Sequence, residues 1–109
     1  HLQAMSWSTW AYVTYGAQVF RLQAAKDMGT PDDAHGTAAH KALDELLTVL
    51  DGRLSQRPWL LGDAYTLADL IVASVIGYSV YLGAPVAGHP TTQAWLQKVQ
   101  ARPAMQIDA

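Results

Sequence analysis

Thr66-Leu67-Ala68-Asp69, placed between Gly62 and an apolar run that reaches Leu82, restricts this chain more than any other stretch. A hydroxyl three residues ahead of a carboxylate is the pattern of a capping box. The threonine oxygen is expected to accept the backbone N–H three residues on, and the carboxylate to reach back to the N–H at the cap. Tyr65 before the cap and Leu70 after it are placed for a hydrophobic staple, and Gly62 lets the chain turn sharply into this arrangement. The spacing predicts a helix over 67–82, apolar on nearly all sides and therefore the central buried rod. Gly77 inside it costs up to ~1 kcal/mol against alanine, which suits a neighbouring helix approaching closely there.

Three further helices follow from the punctuation. The first is predicted over 2–27, with Gly29 as its C-terminal cap. Its apolar residues, among them Trp7, Trp10, Tyr12, Val13, Tyr15, Val19, Phe20 and Leu22, fall on nearly every side of a helical wheel. Such a helix has to be covered all round, and three other helices in so short a chain cannot do that. The second starts at Thr30-Pro31-Asp32-Asp33, which supplies a capping hydroxyl, proline at the first helical position and acids at the positive end of the dipole. Ala39, Leu43, Leu46, Leu47, Leu50 and Leu54 then recur at three and four, and the helix ends near Gln56, before Pro58. Gly83-Ala84-Pro85 closes the capped helix. The last one, over 91–101, carries Trp95, Leu96 and Val99 inward and stops at Arg102-Pro103, because a residue before proline is pushed out of the helical region. No strand pattern competes, so the chain reads as all-α: a bundle of four main helices plus short turns.

The 109 residues make one domain, spanning 1–109, with a small core. Half of them are apolar and 15% are charged, against roughly 25% in ordinary soluble domains, so apolar surface is expected to be hidden against something else. A net charge of −2 without a basic block argues against nucleic acid as a partner. The absence of cysteine excludes disulfides and thiolate chemistry and suits the cytoplasm. The run over 67–82 is broken by Asp69, Ser74, Gly77 and Ser79 and is too short for a membrane span. The chain opens on His1 with neither a methionine nor a capping signal, which reads as a fragment cut near the start of a helix.

Few residues offer chemistry. Asp69 reads as a cap, not as a general base. His35 and His40 are five apart and so not stacked on one helical face. Neither they nor His89, which precedes a proline, have partners at metal-ligand spacing, and all three read as surface or capping residues with no metal. Tyr12, Tyr15, Gly16 and Val19 lie at three- and four-residue spacing and are expected to share one face. There they form either an apolar wall with polar tips beside room for a ligand, or plain packing.

The segment Gly62-Asp63-Ala64-Tyr65-Thr66-Leu67-Ala68-Asp69 resembles the capping-box and staple motif of the glutathione transferase C-terminal domain. Trp59-Leu60-Leu61-Gly62 is similar to that family's approach to the motif. Trp95 through Arg102-Pro103 resembles its late helix, and the aromatic first helix resembles the one that opens the domain. The resemblance covers essentially the whole chain. It implies a parent protein whose thioredoxin-like N-terminal domain binds glutathione as co-substrate and supplies the catalytic residue, so that nothing in this chain is catalytic. It also implies a cytoplasmic homodimer in which the helical domain shapes the pocket for a small hydrophobic electrophile. Aligning Trp7 with the family's early aromatic turns Tyr12, Tyr15, Gly16 and Val19 towards that pocket. The same alignment puts Thr9 where some relatives reach across the dimer to the partner's glutathione. The resemblance also admits a non-catalytic scaffold, as in some translation factors and aminoacyl-tRNA synthetases, and a retired transferase.

Overall fold

In a computed structural model, residues 2–29 and 34–103 are described. The order is α1 (Leu2–Thr9), a π-helical segment (Trp10–Tyr15), α2 (Gly16–Asp27), α3 (Ala34–Leu54), α4 (Leu67–Tyr81), a 3-10 turn (Val86–Gly88) and α5 (Pro90–Ala101). The backbone stays right-handed helical through Thr9, Tyr15 and Gly16, so α1, the π segment and α2 form one rod. Among the described residues the architecture is therefore all-α, with four rods. The expected capping sequence Thr30 to Asp33 lies outside the described residues.

The helix ends follow their local chemistry. Gly29 stands just past α2 at φ +72°, where its N–H bonds the Lys26 carbonyl at 3.0 Å; a left-handed residue at this position is what closes a helix, and glycine takes it without steric cost. His89 stands at the N-cap position of α5 without a side-chain capping bond, Pro90 takes the first helical position, and Arg102 is extended (ψ 144°) ahead of Pro103.

The core forms where stripes from all four rods meet, the first rod giving Ala11, Tyr15, Val19 and Leu22. From α3 come Ala39, Leu43, Leu47, Leu50 and Leu54; from α4, Ala68, Val72, Ala73 and Ile76; from α5, Trp95, Leu96 and Val99. Leu43, Leu47 and Leu50 are wholly buried, each contributing about 2 kcal/mol relative to exposure. α2 lies mainly against α3, α1 against α4, and α5 against both α3 and α4.

One expectation needs correction. α4 is not sheathed on all sides by this chain: Leu67, Tyr78 and Tyr81 are exposed, Tyr81 to 80%. Two layers of helices can cover one side of a rod, and here that side carries Ala68, Asp69, Val72, Ala73, Ile76 and Ser79. The first rod is likewise open, with Met5, Tyr12, Val13 and Phe20 all more than 60% exposed. Among the described residues no helix is long and apolar enough to cross a membrane.

Candidate functional site

Asp69 is the polar hub of the bundle. It is wholly buried, and its two oxygens are filled from three directions. Oδ1 accepts the Leu60 N–H at 2.9 Å and the Trp95 Nε1–H at 2.9 Å, and Oδ2 accepts the Thr66 N–H at 3.0 Å. The reciprocal half of the capping box comes from Thr66 Oγ1, which accepts the Ala68 N–H at 3.3 Å. One carboxylate thus caps α4, holds the incoming loop and anchors α5. No reacting group can approach it, so it is structural. Leu60 is brought to it by a tight turn in which Trp59 and Gly62 exchange backbone hydrogen bonds at 3.1 and 3.2 Å. Gly62 there has φ +146°, a region that favours glycine. Tyr65 is buried beside this turn, with the Trp59 ring edge-on at 5.1 Å and the Arg102 guanidinium over its face at 4.2 Å. Leu70 is partly buried and packs against the same core.

The structure does not bring Tyr12, Tyr15, Gly16 and Val19 to one surface. Tyr15 is wholly buried and Val19 nearly so, whereas Tyr12 is 62% exposed. The cause is the π segment between them. A π turn takes more residues than an α turn, so the step from Tyr12 to Tyr15 covers less arc and the two rings point apart. Gly16 belongs to that turn. Its N–H reaches back five residues to the Ala11 carbonyl. A Cβ on Gly16 would stand 3.1 Å from that same oxygen, so the space left by its missing side chain holds backbone, not a ligand.

Tyr15 sits in a closed polar pair. Its hydroxyl lies 2.7 Å from Ser79 Oγ, and Ser79 donates its only proton to the Ile76 carbonyl at 2.6 Å. Tyr15 is therefore the donor to Ser79. Burial pushes its phenol from 10.0 up to about 12, with the Ser79 bond pulling slightly the other way. A proton held this firmly is unsuited to acid–base work near neutral pH.

The open surface of the first rod lies elsewhere. A groove of about 330 Å³ runs between α1 and the start of α4, lined by Ala4, Met5, Ser8, Thr9, Leu67 and Ile71. Thr9 also borders a second depression along the same rod, with Met5, Ser6, Trp10 and Thr14. Met5, Thr9 and Leu67 are exposed, and an apolar groove of this size with hydroxyls on one wall suits a small apolar ligand or a covering chain.

The family of the glutathione S-transferase C-terminal domain matches residues 7–103. The chain belongs to that family. A glutathione S-transferase of Escherichia coli is 31% identical over 74 residues, covering 68% of this chain and 36% of that protein. A 2,5-dichlorohydroquinone reductive dechlorinase of Sphingobium indicum is 34% identical over 98 residues, covering 84% of this chain and 28% of that protein. A glutathione S-transferase of Arabidopsis thaliana is 31% identical over 78 residues, covering 67% and 31%. The chain thus spans about a third of the length of each of these curated relatives.

Several residues of this glutathione S-transferase C-terminal domain escaped the sequence reading. His89 is buried and its Nε2 lies 2.7 Å from Asp44 Oδ1, and Asp51 Oδ1 accepts the Thr92 N–H at 2.8 Å. Asp44 and Asp51 are seven apart, one face of α3, and that spacing was the available signal. Ser79 carried none, since a serine inside an apolar helix names no partner. His35 and His40 are exposed on α3, and among the described residues no three metal-binding side chains gather.

Proposed function

We propose that this chain is the electrophile-side half of a glutathione S-transferase. A preceding thioredoxin-like domain would bind glutathione and lower the pKa of its thiol, and the helical domain would present an apolar wall to a small hydrophobic electrophile. The groove between α1 and the start of α4 carries the reading, because an apolar recess left open on the first rod is what such a domain arrangement requires. Thr9, on the lining of that groove, would meet glutathione, and Tyr12, exposed three residues further on and outside the lining, would meet the electrophile. Tyr15, Gly16 and Val19 act from behind: the π turn at Gly16 and the buried Tyr15–Ser79 pair set the direction of Tyr12. The exposed Val13 and Phe20 supply apolar surface for a homodimer. The cytoplasm is the compartment that suits a cysteine-free chain working with reduced glutathione.

The test uses the parent protein. It should be retained on glutathione-agarose and should conjugate glutathione to an aryl halide, with Tyr12→Ala raising KM for the halide several-fold and leaving retention unchanged. The chain alone should give no turnover above background. Retention without conjugation by the parent, or turnover by the chain alone, overturns the reading.

A further inference from the structure

We infer that the cleft between the end of α3 and α5, which shares no lining residue with the groove on the first rod, binds a small aromatic carboxylate. The cleft has a volume of about 370 Å³, at the lower end of the roughly 300–1,000 Å³ usual for small-molecule sites, which fits one or two fused rings. Its walls are Leu54, Pro58, Ala94 and Trp95, and at its edge stand two cations, Arg57 and Lys98. Apolar walls with a charged edge select a ligand that is flat and apolar at one end and anionic at the other.

The charge distribution singles out this end of the molecule. The chain has a net charge of −2 and seven lysines and arginines, yet three of those seven, Arg53, Arg57 and Lys98, gather around the Pro58-Trp59 turn. Lys98 and Arg102 both lie over the Trp59 ring, at 4.2 and 5.8 Å. Partial burial, and to a lesser degree the neighbouring Arg57, hold Arg53 below the usual arginine range. Among the described residues no carboxylate lies within 4.0 Å of Arg53, Arg57 or Lys98. Asp51 on the same helix is engaged by the Thr92 N–H, and the exposed Asp63 has no cation within that distance. A local field opposite in sign to the whole molecule draws anions to this cleft.

The two cations are also held in place. Arg57 Nη1 donates to the Arg53 carbonyl at 3.1 Å, and Lys98 Nζ donates to the Pro58 carbonyl at 3.3 Å. Each keeps further N–H donors for a carboxylate. Preorganised donors lose less entropy on binding than free side chains do.

The probe is naphthoate, titrated into the chain while backbone amide shifts are followed, with naphthalenemethanol as the neutral counterpart. Naphthoate is expected to shift the amides of Arg57, Ala94 and Lys98, to bind at least about fivefold more tightly than the alcohol, and to weaken as salt is raised. Arg57→Gln and Lys98→Gln are each expected to weaken it about two- to fivefold, the range for exposed ion pairs, and the double variant about tenfold. The unaltered chain needs no variant to fail the test. Equal binding of acid and alcohol, shifts confined to the groove between α1 and α4, or no shift at about 10 mM naphthoate overturns the inference.

Discussion

The indole N–H of Trp95 donates to Asp69 Oδ1 at 2.9 Å, tying the middle of α5 to the first turn of α4 through one buried carboxylate. The same oxygen takes the Leu60 N–H and the other takes the Thr66 N–H, so removing the carboxylate orphans three donors at once. Each orphaned buried donor costs about 1–3 kcal/mol. Asp69→Ala should therefore lose about 3–5 kcal/mol in urea unfolding, enough to unfold a domain of this size. Trp95→Phe should lose about 1–3 kcal/mol, and a double-mutant cycle with Asp69→Asn should show coupling near 1 kcal/mol. A coupling of zero would mean that the indole bond contributes nothing to stability.

Tyr15 makes stability depend on alkaline pH. The folded chain holds its phenolic proton up to about 12, whereas the unfolded chain releases it at 10.0. The folded state therefore binds the proton more tightly, and the contribution is complete below pH 10 and fades as pH rises towards about 12. At about 1.4 kcal/mol per tenfold, the loss across that window is on the order of 2–3 kcal/mol. Tyr15→Phe should cost about 0.5–1.5 kcal/mol at neutral pH by removing the bond to Ser79, and should flatten the alkaline fall. Identical slopes for both proteins between pH 10 and 12 would remove Tyr15 as the cause.

Two helical glycines should respond in opposite ways to a methyl group. A Cβ on Gly77 meets Gln100 Nε2 at 3.4 Å and Leu96 Cδ1 at 4.0 Å, ordinary contacts with α5. Helix α5 does approach there, as the sequence suggested, but it leaves room. Gly77→Ala should raise stability by about 0.5–1 kcal/mol through helix propensity. At Gly16 the methyl meets the Ala11 carbonyl at 3.1 Å, a backbone atom fixed by the π turn. Gly16→Ala should fail to gain that amount, and thermal unfolding of the two variants checks the contrast.

What the sequence disclosed depended on whether a signal was local. Thr66 and Asp69 lie three apart, so their reciprocal bonds are dictated by one turn of helix and could be read directly. The α3 stripe and the stop at Arg102-Pro103 were legible for the same reason. Asp69's further bonds to Leu60 and Trp95 were not, because they span 9 and 26 residues of chain. The supposed wall of Tyr12, Tyr15, Gly16 and Val19 failed on a different count. Its spacing assumed an α-helix throughout, and no residue pattern announces the π turn or the Tyr15–Ser79 bond made 64 residues away. The open faces of the first rod were legible as an excess of apolar residues over what four helices can cover.

The approach of α5 to α3 rests on two carboxylates of unequal worth, and their substitution should separate them. Asp51 Oδ1 takes the Thr92 N–H, one of the donors that the first turn of α5 cannot satisfy internally, so it caps a helix from a neighbouring helix. Proline at the first position of α5 has no N–H to offer, which leaves few amides to cap and makes this one count. Loss of such a cap costs about 0.5–2 kcal/mol, and Asp51→Ala should fall in that range, with Asp51→Asn recovering most of it. Asp44 also reaches this corner, at His89 Nε2, but its side chain is 54% exposed and water replaces it readily. Asp44→Ala should cost less than about 1 kcal/mol. Hydrogen exchange gives the decisive reading: Asp51→Ala should speed exchange at the Thr92 and Gln93 amides ahead of the rest of α5, whereas Asp44→Ala should not. Equal acceleration in both variants would show that the corner opens as one unit and that the cap has no separate role.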